Sequence, residues 1–215
     1  LIAENETIDI KQFFYDEELL SDVRNDGKPR LKIYPFPETA IVLGRGSKSE
    51  VELNIDPIVA DEVTVYRRRG GGCSVVLDPG NLIVSVVLPV AGLTDTKKWF
   101  NRCTDWMING LDAAGIKDVY SDGVSDLVIG DRKISGSALY RMKDYAYYTA
   151  SLLVTPKTDL MDSYLAHPPR EPEYRQARPH TDFVVSLNEI YPDITVDKLN
   201  RSLEKTLNID DLINE

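Results

Sequence analysis

Three consecutive glycines stand between two runs of strand-forming residues, in Arg67-Arg68-Arg69-Gly70-Gly71-Gly72-Cys73-Ser74-Val75-Val76-Leu77-Asp78-Pro79-Gly80-Asn81. A helix does not propagate through them, because each glycine is roughly 1 kcal/mol worse than alanine in a helix interior. Ahead of them Val63, Val65 and Tyr66 alternate with polar residues, as in a half-buried strand. The segment therefore predicts a strand, a tight glycine bend and a second strand. Without Cβ atoms the backbone can bend sharply and approach a ligand closely, and consecutive N–H groups in such a bend can point at one anion. The arginines at its entrance add fixed positive charge and planar donor forks. The combination suits a phosphate or nucleotide, yet it is neither the Walker pattern nor the Rossmann fingerprint. A glycine-rich hairpin with solvated arginines fits the same residues equally well.

Patterns along the chain set the frame for this bend. Ile10, Phe13, Phe14 and Leu20 suggest an amphipathic helix over residues 9–23. Short strands are expected at 31–34 and 40–43, and at 74–78 and 81–88, the last two joined by Pro79-Gly80 as a hairpin buried on both faces. Phe100, Cys103, Met107, Leu111 and Ala114 form a helical stripe over 94–114, with Thr94 as cap and Gly115 just past the end. Strands are expected at 117–121, 126–129, 132–135 and 145–154. A short helix over 158–165, a loop rich in Pro and Arg over 167–180 and a helix over 195–207 follow. With no repeat and no linker, residues 1–215 read as one α+β domain: a mixed, mostly antiparallel β-sheet with packed helices.

Charge and composition exclude several functions. Of 215 residues, 35 are Asp or Glu and 25 Lys or Arg, a net charge of −10. Neither nucleic acid nor an anionic membrane surface is the expected partner of such a chain. No apolar run reaches the roughly 18–20 residues that span a bilayer. Two cysteines, Cys73 and Cys103, fit a reducing, cytoplasmic compartment, and two histidines leave no His-rich metal site.

A second element lies sixty residues downstream, in Ser125-Asp126-Leu127-Val128-Ile129-Gly130-Asp131-Arg132-Lys133-Ile134-Ser135-Gly136-Ser137-Ala138. Lys133 sits among apolar residues and precedes small ones that let a ligand lie against the strand. A compact cation facing a pocket and an ordinary surface-strand lysine are both compatible with that spacing. Taken in order, the two elements resemble the lipoate–protein ligase branch of the biotin/lipoate protein ligase family. Its pattern is Arg-Arg, a Gly-rich loop, Asp-x-Gly-Asn, Asn-Asp-Leu and then Lys-[Ile/Val]-Ser-Gly-Ser-Ala. Asp16-Glu17-Glu18, Ile41-Val42-Leu43-Gly44-Arg45 and Lys143-Asp144 extend the resemblance over roughly residues 8–210.

The resemblance implies a class II biotin/lipoate ligase-like catalytic domain without a C-terminal accessory domain, acting alone or completed by a separate subunit. It implies an ATP-dependent, Mg²⁺-assisted conversion of lipoate or octanoate to acyl-AMP, then transfer to a lysine of a lipoyl-carrier domain. Lys133 would be catalytic, touching both acyl carbonyl and α-phosphate, and Arg68 would contact the phosphate. Gly71, Gly72, Cys73, Ser74, Val75 and Val76 would line the lipoyl-adenylate, with Asp78, Asn81, Ser135, Gly136 and Ala138 around it and Asp126 near the nucleotide or its Mg²⁺. Apart from the resemblance, position alone suggests that Tyr174, His180 and Phe183 pack the 167–180 loop over the site, and that Arg141, Lys143, Arg170, Arg175 and Arg178 either steer the carrier locally or form an ordinary solvated arginine cluster. The sequence departs from the family where Cys73 replaces a glycine, Leu77 a His, Ser125 an Asn, and Tyr148-Thr149-Ala150-Ser151 a His-His-Gly-Thr segment. These changes bear on the acyl pocket and leave Lys133 and the glycine bend intact. Two rivals stay open: an octanoyl or lipoyl transferase using a Cys73 thioester, and a non-catalytic relative that binds acyl-adenylate or carrier.

Overall fold

A computed structural model describes residues 8–90, 96–142 and 144–213. Among these residues ten strands form two sheets rather than the single sheet expected. A four-stranded sheet holds β1 (Ile10–Gln12), β4 (Thr64–Arg67), β3 (Ala40–Leu43) and β5 (Val75–Leu77), in that order. It is parallel except where β5 pairs with β3. A six-stranded antiparallel sheet holds β2 (Arg30–Pro35), β6 (Asn81–Pro89), β10 (Tyr145–Leu153), β9 (Arg132–Arg141), β8 (Asp126–Ile129) and β7 (Tyr120–Asp122).

The described residues also hold eight α-helices, α1 (Glu17–Asp26), α2 (Ser49–Glu52), α3 (Ile55–Ala60), α4 (Thr96–Ala113), α5 (Asp159–Tyr164), α6 (His180–Phe183), α7 (Leu187–Ile190) and α8 (Val196–Thr206), and two 3-10 turns, Glu173–Arg175 and Ile209–Leu212. One face of the large sheet packs Leu82, Val84, Tyr148 and Leu152 against Met107 and Leu111 of α4 and Leu199 and Leu203 of α8. The α4 stripe is thus the expected one. Gly110 lets the two helices approach, since a Cβ there would lie 2.2 Å from Leu207. Gly115 ends α4 at φ +92°; Thr94, its expected cap, lies outside the described residues. The small sheet packs Ile41, Leu43, Val65 and Val76 against Ile58, Met161, Tyr164 and Phe183 on its outer face. Its inner face turns Ala40, Val42, Tyr66 and Leu77 toward Ile83 of the large sheet.

Two sequence expectations are corrected. The helix expected over 9–23 begins only at Glu17, because Ile10–Gln12 pair in parallel with Val65–Arg67 and Phe13 stacks near Phe36 and Tyr66. Residues 74–88 are not a hairpin. The Asp78–Asn81 turn forms, with Asn81 N–H donating to the Asp78 carbonyl at 2.9 Å, but β5 and β6 lie in different sheets. Turn chemistry is local, whereas strand pairing is decided by which partner completes each core. The helices α2 and α3 are too short to show a period in the sequence.

Candidate active site

The glycine bend is built from behind by hydrogen bonds that take up its carbonyls. Gly70 O accepts from Arg45 N–H at 2.8 Å, and Gly72 O from Ser47 Oγ at 3.2 Å. Gly71 O and Cys73 O each accept from Arg68 Nη2 at 2.8 Å. In a planar trans peptide the next N–H points opposite to the carbonyl. Holding these oxygens against the protein therefore turns the amides of Gly71, Gly72 and Cys73 the other way. Among the described residues the Gly71 and Gly72 amides have no protein acceptor, and both residues are exposed. Gly72 needs its φ of +92°. The result is a nest of amides facing solvent, suited to an anion.

All three arginines work as clamps. Arg67 Nη1 donates to the carbonyls of Gly44 at 2.9 Å and Ser47 at 2.8 Å. Arg68 also reaches Val42 O at 2.9 Å, and burial draws its pKa down to about 10, leaving a cation at neutral pH. Arg69 donates to Glu17 Oε1 at 2.6 Å, which ties α1 to the bend. Arg68 thus acts on the nest from behind, with its donors on carbonyls. Glu52, unnoticed in the sequence, accepts from both N–H and Oγ of Ser74, at 2.7 and 2.6 Å. Only the tertiary packing of α2 brings it there.

Lys133 reaches the same face because β9 carries a bulge. Val128 pairs with Lys133 and Leu127 with Ser135, so Ile134 is an extra residue. Without it Lys133 and Gly136, three apart, would point to opposite faces. With it, the lysine lies across Gly136, where an added Cβ would sit 2.9 Å from Nζ. Nζ pairs with Asp126 Oδ1 at 2.7 Å, and Asp126 Oδ2 accepts from Tyr174 OH at 2.8 Å. Two strand positions onward, Ala138 meets the bend, since a Cβ on Gly70 would be 3.1 Å from Ala138 Cβ. The two sequence elements are therefore apposed. We expect Gly136→Ala to leave the melting temperature nearly unchanged, because the clash is with a flexible side-chain end, while moving the ammonium and lowering activity tenfold or more.

The remaining expected residues divide. Val75 faces the inter-sheet layer and Val76 the outer core. Asp78 and Asn81 are buried in the turn: Asp78 accepts from Gly80 N–H at 2.6 Å and Lys157 N–H at 2.7 Å, and Asn81 Nδ2 donates to Ser151 Oγ at 3.0 Å. Their polar atoms hold the crossover between sheets. Ser135 is fully buried opposite Leu127, on the core side of the strand. Beyond Gly136 and Ala138 the sheet face continues through their partners Ser151 and Thr149 to Ser85. Ser85 Oγ donates to buried Asp16 at 2.7 Å, as does Tyr147 OH. The residues replacing the His-His-Gly-Thr segment thus give a small, hydroxylic floor.

Residues 167–183 form a strap over Lys133. Cys73 Sγ meets Arg170 O at 3.6 Å, and Tyr174 packs on Phe183 with ring centres 5.0 Å apart. Val185 N–H donates to Lys133 O at 2.9 Å. His180 does not face the lysine; it pairs with Asp162 at 3.0 Å. Of the expected steering cations, Arg175 is buried, Arg178 pairs with Asp131 at 3.0 Å, and Lys143 lies outside the described residues.

Two sheets that bring a glycine bend against the strand carrying Lys133 make the class II biotin/lipoate ligase fold, and solved structures agree. A bipartite lipoate protein ligase from Thermoplasma acidophilum, described with its E2 lipoyl domain, superposes with a TM-score of 0.77 at 21% identity, covering 96% of this chain and 82% of that one. A lipoate-protein ligase A bound with ATP gives 0.75 at 21% identity, over 96% and 85%. Among curated relatives, lipoate-protein ligase A of Psychrobacter cryohalolentis is 29% identical over 189 residues, 87% of this chain and 53% of that protein. Residues 10–208 match the family described as lipoyl protein ligase A/B catalytic domain, and the chain belongs to that family. It spans about half the length of the curated relatives it matches. Among the described residues no helix is long and apolar enough to cross a membrane.

Proposed function

We propose that this chain activates lipoate or octanoate with ATP to acyl-AMP and passes the acyl group to a lysine of a lipoyl-carrier domain. The observation that carries the reading is the glycine bend, its Gly71 and Gly72 amides without a protein acceptor among the described residues, meeting at Ala138 the bulged strand whose Lys133 lies across Gly136. The names of the relatives, the ATP bound in one structural neighbour and the lipoyl domain accompanying another support it.

A carboxylate oxygen must first attack the α-phosphorus, forming the acyl–phosphate bond as the α–β bond breaks and pyrophosphate leaves, so two anions meet and cations or dipoles have to absorb the charge. The nest amides supply dipoles and Lys133 a cation beside them. Asp126 holds that cation in place as a positioning residue. The acceptor lysine then attacks the acyl carbonyl and AMP leaves. An amine of pKa ~10.4 costs about 4–5 kcal/mol to present neutral at pH 7. Lys133, as a neighbouring cation, lowers that cost and stabilises the developing oxyanion. Mg²⁺ enters as the counter-ion of the nucleotide substrate. Both oxygens of Asp126 are engaged, and among the described residues no three His, Cys, Asp or Glu converge to hold a metal.

The cysteine-thioester alternative meets an electrostatic obstacle. Burial, reinforced by Glu52, raises the Cys73 thiol above its ordinary pKa despite Lys133 and Arg68 nearby, and a thioester enzyme needs the thiolate. Burial pushes Cys103 up to about 12. Cys73→Ser is expected to retain acyl transfer within about threefold, measured by mass spectrometry of the carrier; its complete loss would favour the transferase. Lipoate-dependent exchange between ATP and pyrophosphate tests activation itself. A chain that binds acyl-AMP but shows no exchange would be the non-catalytic relative. Exchange without transfer, restored by a second polypeptide, would identify an accessory subunit.

A further inference from the structure

Phe183 is ringed by three cations: the guanidinium carbons of Arg175 and Arg178 lie 4.8 and 5.6 Å from its centre, and Lys133 Nζ lies at 6.0 Å. Two of them are committed. Lys133 is held by Asp126. Arg178 donates to the carboxylate and carbonyl of Asp131 and to the carbonyls of Tyr174 and Arg175. Arg175 differs. It is only 4% exposed, yet among the described residues its buried Nη2 has no hydrogen-bond partner. Its Nε donates to Arg178 O at 3.0 Å and lies 3.4 Å from Glu171 Oε2. That carboxylate is already shared between His167 Nε2 at 2.9 Å and Ala177 N–H at 3.0 Å.

A buried guanidinium donor without an acceptor is a cost that folds rarely keep. Here it is kept within electrostatic range of Cys73 on the glycine bend and of Asp126 beside Lys133. The charge balance of the site points the same way. The Lys133 charge is offset by Asp126, and the donors of Arg68 face carbonyls. A triphosphate therefore needs positive charge from elsewhere, and a planar guanidinium fork suits phosphate oxygens.

We propose that Arg175 is a further nucleotide-binding residue, its Nη2 donating to a phosphate oxygen when the strap is closed over the site. The proposal rests on the nucleotide-site reading above and adds a residue to it. The test is calorimetric titration of the full chain and of Arg175→Met and Arg175→Lys with MgATP and, separately, with adenosine. We expect Arg175→Met to weaken MgATP at least tenfold while changing adenosine less than twofold, and Arg175→Lys to recover part of the loss through charge alone. Unchanged MgATP affinity in both variants overturns the proposal. Equal loss for MgATP and adenosine does so as well, because it marks a role in packing the strap on Phe183. Should Arg175→Met fail to fold, Arg175→Lys decides: a wild-type MgATP affinity and unchanged salt dependence overturn the proposal, and a selective loss for MgATP supports it. A wild-type chain that binds no MgATP removes the nucleotide reading itself, and the assignment of Arg175 with it.

Discussion

Lys133→Ala is expected to lower both half-reactions by about a hundred- to a thousandfold, the scale seen when a preorganised donor at a developing oxyanion is removed. The two steps share one cation because the α-phosphate and the acyl carbonyl belong to one mixed anhydride. Asp126 would then be left as a buried carboxylate, 6% exposed, still bonded to Tyr174. Loss of the ion partner of buried Asp126 is expected to lower stability while the fold survives, since Lys133 lies outside the apolar core clusters. Pyrophosphate exchange and transfer from preformed lipoyl-AMP separate the steps. A mutant slow in exchange but normal in transfer would restrict Lys133 to activation. A wild-type rate in both would remove it from the chemistry.

Gly44→Ala is the second large effect, and it falls on the bend through a residue outside it. An added Cβ at Gly44 would lie 1.9 Å from Gly72 O and 3.0 Å from its carbonyl carbon. Both are backbone atoms, so no rotamer relieves the clash and the bend itself has to move. Overpacking of this kind costs about 3 kcal/mol, which for a chain of this length lowers the melting temperature by roughly 6–12 °C. Displacing Gly72 also breaks its bond from Ser47 Oγ and turns the amide nest out of register with Ala138. We therefore expect MgATP affinity to fall at least tenfold, even at temperatures where the variant stays folded. Thermal denaturation and MgATP titration check the two parts. Wild-type affinity in a destabilised variant would show that the bend tolerates displacement.

The arginines show where sequence reading stopped. Arg67, Arg68 and Arg69 at the mouth of a glycine run suggest cations aimed at phosphate. In the fold each is spent on shape, with donors on carbonyls or on Glu17. A buried guanidinium nitrogen left without an acceptor among the described residues belongs instead to Arg175, a hundred residues away in the Pro- and Arg-rich loop. Nothing in its neighbours announces burial, because the cover is supplied by Phe183 and by the sheet edge that Val184 joins at Lys133.

The strand lysine shows the same division. Small residues after Lys133 were legible as space for a ligand, and Gly136 does make room for the lysine itself. The face on which the lysine emerges was not legible. A strict two-residue alternation puts Lys133 and Gly136 on opposite sides, and only the extra residue at Ile134 reverses that.

By itself, then, the sequence determined the pieces whose cause is local: a bend that three residues without Cβ can make, the apolar stripe of α4, and the order of motifs that identifies the family. The tertiary structure decided what depends on long-range partners. It placed β5 and β6 in different sheets, turned the loop carbonyls inward so that their amides face out, and brought the bend against Ala138 on the strand that carries Lys133. The physical reason is that backbone freedom and periodicity belong to a few adjacent residues, while the direction of a hydrogen bond or a charge is fixed by groups that meet only when the chain has folded.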